Sequence, residues 1–190
     1  MRYVSTRGRA PALDFEGALL AGLASDGGLY VPETWPTLSA AEIAGLAGRS
    51  YEEAAATVMR PFLGDAFPGT AFERLIAEAY AEFGHAAHAP LVQTGPSDWV
   101  LELFHGPTLA FKDFAMQLIG RMFEAALAKR GERLTIVAAT SGDTGAAAAR
   151  AFAGLDLVDL FILFPDGGRV SEVQRRQMTT LGADNVHALA

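Results

Sequence analysis

The sequence contains no cysteine, and only two of its 15 basic residues are lysines, Lys112 and Lys129. The first absence excludes disulfides, thiolate metal sites and a cysteine nucleophile, and removes any argument for secretion. The second means that any lysine chemistry must use one of two positions. Long apolar runs are also missing: no stretch approaches the ~20 residues that span a bilayer. The opening MRYVSTRGRAPALDFEG carries acids where a signal peptide has an apolar core, so a soluble cytoplasmic protein is the default expectation. No basic block exceeds a pair such as Arg175-Arg176, and Asp and Glu outnumber Lys and Arg by 22 to 15. Wholesale binding of nucleic acid or of an anionic membrane surface is disfavoured on that ground. What the chain does have is apolar material, 51% of its 190 residues, enough for a core and too much for a disordered segment.

The first half reads as short helices separated by turns. Asp14 is placed to cap a helix over about 15–24, after which Asp26-Gly27-Gly28 turns the chain into an extended piece at 29–32. Ser39 with Glu42, Ser50 with Glu53 and Thr70 with Glu73 read as capping boxes opening three helices, which Gly48, Pro61 and Gly84 are placed to close. From Pro90 the pattern changes. Residues 91–94 and 99–104 read as strands around the turn Gly95-Pro96-Ser97-Asp98. Phe111, Phe114, Ala115, Leu118, Ile119, Met122 and Ala126 follow helical spacing, and Lys129-Arg130-Gly131 suits that helix's end.

Strand and helix then alternate: an apolar strand at 134–139, a helix at 144–152, a strand at 157–164, a helix at 171–181 opened by a capping box of Ser171 with Gln174, and a strand at 185–189. This order predicts an α/β protein. A mainly helical N-terminal domain, residues 1–90, precedes a doubly wound, mainly parallel sheet in 91–190, covered on both faces. The chain stops in or just after a strand, so the sheet is expected to be incomplete and its edge open to pairing with another copy.

Ligands of open parallel sheets sit at the carboxyl ends of the strands. The loop before the long helix carries Lys112 between Phe111 and Phe114, in the helix's first turn. A cation there faces the positive end of the helix dipole, which favours the neutral amine that Schiff-base chemistry needs. The competing reading is a solvated helix lysine. The next loop, Thr140-Ser141-Gly142-Asp143-Thr144-Gly145, offers hydroxyls and amides at a helix N-terminus, a cradle for a carboxylate or phosphate. It lacks the lysine and glycine spacing of a P-loop, and an ordinary capped turn is the alternative. The third loop, 165–171, is unspecific, with Arg169 placed at the surface. His105 sits near a pocket in the Lys112 loop, whereas His85 and His88 lack a third ligand, so no metal site is expected.

Four tracts together are similar to threonine synthases, pyridoxal-phosphate enzymes of the tryptophan-synthase-β fold type. They are Tyr3-Val4-Ser5-Thr6-Arg7-Gly8, the run from Ala24 through Asp26-Gly27-Gly28 to Pro32, the run from Leu103 through His105-Gly106-Pro107 and Phe111-Lys112-Asp113 to Phe114, and the loop from Thr140 to Gly145. Each is short; their order and spacing are specific, and the resemblance covers almost the whole chain. It implies that Lys112 holds pyridoxal phosphate covalently and later shuttles protons, beside Phe111. It also implies that Thr140, Ser141, Gly142 and Thr144 take the substrate carboxylate, with Asp143 near the cofactor's ring hydroxyl. Ser5, Thr6 and Arg7 are implied to help bind the substrate's phosphate.

The reaction so implied converts O-phosphohomoserine and water to threonine and phosphate. The resemblance also implies further chain after Ala190, with the cofactor-phosphate cup and the partner of the pyridine nitrogen. This polypeptide alone is therefore expected to bind pyridoxal phosphate poorly and not to turn over. A related pyridoxal-phosphate lyase or dehydratase, or a noncatalytic module that self-associates through its sheet edge, are the alternatives.

Overall fold

The computed structural model describes residues 1–140 and 142–190. The chain forms two compact units, Met1–Ala77 and Glu78–Ala190, which divide inside a helix. The boundary near residue 90 expected from composition falls in the turn before the first strand of the second unit.

In the first unit, β1 (Tyr3–Ser5) pairs antiparallel with β2 (Tyr30–Pro32), and the helices are α1 (Phe15–Ala21), α2 (Ala40–Ala44), α3 (Tyr51–Leu63) and most of α4 (Ala71–Tyr80). Asp14 caps α1, its carboxylate accepting from Gly17 N at 2.7 Å; Gly22, at φ +64°, ends that helix earlier than expected. Ser39 and Ser50 each form a complete capping box, with Glu42 and Glu53. Those hydrogen bonds hold both glutamates below the usual carboxylate range.

Expectations about helix ends are corrected here: Gly45 and not Gly48 caps α2, and α4 ends at Tyr80, ahead of Gly84. Pro61 lies inside the last turn of α3, where its missing N–H removes one helical hydrogen bond without ending the helix, and Gly64 ends it. Glu73 serves Arg60 rather than a box with Thr70, because the guanidinium reaches it from the end of α3. An aromatic chain fills the unit's core: Tyr3 meets Phe15, Phe15 meets Phe67, and Phe67 stacks on Phe72. Phe72 and Ile76 are wholly buried. The Tyr3 hydroxyl donates to Phe62 O at 2.8 Å, and burial pushes its phenol up.

The second unit holds the end of α4, an exposed hairpin of β3 (Leu91–Gln93) and β4 (Trp99–Leu101), the long α5 (Asp113–Arg130), and a parallel sheet of β5 (Leu134–Ala139), β6 (Val158–Leu163) and β7 (Val186–Leu189), in the order β5-β6-β7. The crossovers are α6 (Asp143–Phe152) and α7 (Glu172–Thr179). Both step in the same direction across the sheet, and right-handed crossovers that do so place their helices on one face. Val158, Leu160 and Ile162 are accordingly buried.

The expected covering of both faces is thus met on one face only. On the other, Val137, Leu163 and Leu189 stay exposed, and Phe161 stacks on His187 with centroids 4.5 Å apart. No described helix is long and apolar enough to cross a membrane.

Helices α5 and α6 fix the position of everything that matters at the strand ends. A Cβ at Gly120 would lie 2.7 Å from the carbonyl oxygen of Ala151, so only glycine allows this contact. Further along, Glu124 accepts from the amides of Asp156 and Leu157 at 3.2 and 3.3 Å. Contacts that advance together along both chains mean parallel helices. Gly120 and Ala151 lie about 11 and 12 Å from their helix starts at roughly 1.5 Å per residue, so the two N-termini fall at one end, beside the carboxyl end of β5.

Candidate active site

Lys112 occupies the N-cap of α5 with φ −64° and ψ −20° and makes no side-chain capping bond. It is half-buried, and its Nζ lies 5.4 Å from the centroid of the exposed Phe111 ring. Among the described residues no carboxylate pairs with it.

At the same end of the helix pair, Thr140 follows β5, and its Oγ1 accepts from Gly142 N at 3.3 Å and from Gly145 N at 3.2 Å. The hydroxyl thereby occupies amides that the loop would otherwise present. Gly142 and Gly145 are buried because neighbours fill the space of a side chain: Gln174 lies over the former, Met178 and Thr140 against the latter. Asp143 and Thr144 begin α6 and are exposed; Ser141 lies outside the described residues.

The structure therefore brings Phe111, Lys112, Thr140, Gly142, Asp143 and Thr144 to one end of the second unit. Ser5, Thr6 and Arg7 belong to the first unit. There the Asp26 carboxylate gathers Ser5 Oγ at 2.7 Å, Gly28 N at 2.9 Å, Arg9 N at 2.9 Å and Ala10 N at 3.0 Å. The Ser5 hydrogen bond leads these causes in lowering Asp26 to about 2. Arg7 is exposed, donates to the Asp26 carbonyl at 3.0 Å, and has no carboxylate partner among the described residues. Thr6 is also tied in, its Oγ1 accepting from Leu29 N.

Sequence reading passed over four residues. Gln174 bridges α7 to Asp143; the Ser171–Gln174 spacing was visible, but the amide serves Asp143 instead of returning to the Ser171 backbone. Asp113 and Gln117, one turn apart, occupy the buried side of a helix read only for its apolar positions. Gln117 Nε2 is buried without a partner among the described residues. Thr108 is held by Asp113 and by Gln177, whose Nε2 donates to Thr108 O at 3.1 Å. His105 is engaged by Glu102, 2.7 Å away. A cavity of about 360 Å³ beside this loop is lined by Pro107, Thr108, Ala146, Arg150 and Gln177.

A primary amine with no carboxylate partner among the described residues and an exposed aromatic face next to it suit an aldehyde cofactor. The comparisons with known proteins point the same way. A family model described as the threonine synthase N terminus matches residues 2–80. The chain is 58% identical to a threonine synthase of Pseudomonas aeruginosa, covering 100% of this chain and 40% of that protein. It is 40% identical to one of Saccharomyces cerevisiae, covering 99% and 39%. A crystal structure of pyridoxal-phosphate-bound threonine synthase from Brucella melitensis superposes with a TM-score of 0.96 at 61% identity, over 100% of this chain and 41% of that one.

The fold and these matches define a pyridoxal-phosphate enzyme lineage of the tryptophan-synthase-β type. Within it, the chain belongs to the threonine synthase family. It spans about 40% of the length of these relatives.

Proposed function

We propose that this chain contributes the lysine and the substrate-carboxylate loop of a threonine synthase, which forms threonine and phosphate from O-phosphohomoserine and water in the cytoplasm. The observation that carries the reading is the parallel pairing of α5 and α6, whose starts bring Lys112 and the described residues Thr140, Gly142, Asp143 and Thr144 to one end of the unit. When bound, pyridoxal phosphate supplies an electron sink for carbanions next to the amino group.

The rest falls to the chain's own groups. Lys112 holds the cofactor through Nζ and, once displaced by substrate, serves as the nearby base that carries protons. Phe111 offers a face beside it. Thr140, Ser141, Gly142 and Thr144 take the substrate carboxylate, and Asp143, oriented by Gln174, faces the cofactor's ring hydroxyl. Ser5, Thr6 and Arg7 help hold the substrate phosphate, the uncompensated guanidinium supplying charge.

Because the relatives are more than twice as long, the 190-residue chain alone is expected to hold the cofactor weakly and not to turn over. The test joins the remaining sequence of the Pseudomonas relative after Ala190. The chimaera should form threonine and phosphate from O-phosphohomoserine, and its Lys112→Ala variant should not. Release of a 2-keto acid instead would favour a related lyase or dehydratase.

A second reading, a noncatalytic module that self-associates, is favoured by the open apolar face at Val137, Leu163 and Leu189. Light scattering of the chain would show a monomer if that reading is wrong.

A further inference from the structure

We infer that Asp113 is a positioning residue for Lys112, an inference that rests on the role just proposed for that lysine. Asp113 has no exposed surface. Its Oδ2 accepts from Thr108 N at 2.8 Å and its Oδ1 from Thr108 Oγ1 at 2.7 Å. Both oxygens are thus engaged by one residue five positions earlier, which closes residues 108–113 into a clamped loop whose last free member is Lys112.

The loop is tightened from within, where Leu109 N donates to Gly106 O at 3.1 Å and Asp113 N to Ala110 O at 3.0 Å. A Cβ on Gly106 would stand 2.5 Å from the Cβ and Oδ2 of Asp113, so glycine is what lets the carboxylate sit there. From outside, Gln177 on α7 holds the Thr108 carbonyl.

Leu109 shows what the clamp imposes. Its φ is +63°, a left-handed conformation that a leucine avoids, and its side chain is 70% exposed, so packing of that side chain does not hold it there. Such a backbone persists only where the surroundings over-determine it. The Asp113–Thr108 bonds span that residue, so they supply the constraint. The consequence falls on Lys112, whose backbone is fixed immediately before Asp113. An amine launched from a fixed Cα loses less freedom on reaching a bound aldehyde than one on a mobile loop.

The two lysines make this measurable in a single chain. The full 190-residue protein is incubated with pyridoxal phosphate; a lysine amine condenses with the aldehyde, losing water, and added borohydride delivers hydride to the resulting C=N bond. Peptide mass spectrometry then gives the ratio of pyridoxyl label at Lys112 to that at Lys129. The wild type should favour Lys112. Asp113→Ala removes both acceptors, and should lower the ratio by about tenfold or more at unchanged Lys129 labelling and unchanged circular dichroism. Thr108→Val removes one of the two bonds and should lower it less.

An unchanged ratio in folded variants would overturn the inference about Asp113 alone, as would failure of both variants to fold. A wild type without preference for Lys112 would instead overturn the reading of the lysine itself.

Discussion

The side-chain amide of Gln174 reaches across Gly142 and donates to the carboxylate of Asp143. The same Gln174 accepts from Ser171 Oγ at 2.9 Å, so the start of α7 is tied through one side chain to the start of α6. The bond depends on an absence: a Cβ on Gly142 would lie 2.7 to 2.8 Å from the end of the Gln174 side chain.

It follows that Gly142→Ala and Gln174→Ala should act through one contact. Each is expected to cost about 1 kcal/mol, the usual net worth of a hydrogen bond. The double variant should cost little more than either single one, which urea denaturation in a double-mutant cycle measures. Additive losses would separate Gly142 from the Gln174 bond.

Gly145→Ala should be worse. Its new methyl would stand 2.5 Å from both Met178 Sδ and Thr140 Cγ2 and 3.2 Å from Ile162 Cγ2. These atoms belong to a closed core, and overpacking of this kind costs about 1–3 kcal/mol. The loss should be read in the same denaturation experiment, and cofactor capture should fall with it because Thr140 must move.

In the first unit, Phe72→Ala removes a ring that has no exposed surface and that stacks on Phe67. A loss of about 3–5 kcal/mol is expected, enough to unfold a unit of marginal stability. Thermal denaturation followed by near-ultraviolet circular dichroism would report it.

Asp26 sets a pH dependence whose sign is fixed. Its folded value, lowered to about 2 by Ser5 and the amides of Gly28, Arg9 and Ala10, lies below the ordinary unfolded value near 3.9. The stabilisation is therefore fully present above the unfolded value and is lost as pH falls through the folded one. Carboxyl titration by NMR should place Asp26 near 2, and Asp26→Asn should abolish this part of the acid dependence. An ordinary titration would mean that the hydroxyl and three amides do not hold the carboxylate in solution.

Much of this architecture is legible in the residue order, for physical reasons that differ by element. The boxes at Ser39 and Ser50 form because their partners are three residues away, and at Ser50 the Arg49 guanidinium takes one oxygen of Glu53 and leaves the other to the Ser50 amide. The box at Thr70 does not, because Arg60 competes for Glu73 from another helix, and nothing local announces that. The strand and helix alternation after Leu134 is visible in its apolar runs, but a run such as Leu134 to Ala139 does not show that one face stays open. That depends on both crossovers stepping the same way.

At the site, Lys112 stood out through rarity and setting, and its loop through composition. Asp113 and Gln117 did not, since a polar residue on a buried face breaks the periodicity by which helices are read; Gln174 was legible only as the partner of Ser171.

The most direct test of the account is a spectroscopic titration of the chain with pyridoxal phosphate, comparing wild type, Lys112→Ala and Lys129→Ala. A weak, saturable long-wavelength band that survives Lys129→Ala and vanishes in Lys112→Ala is the predicted result. A band lost in Lys129→Ala, or unaffected by either change, would contradict it.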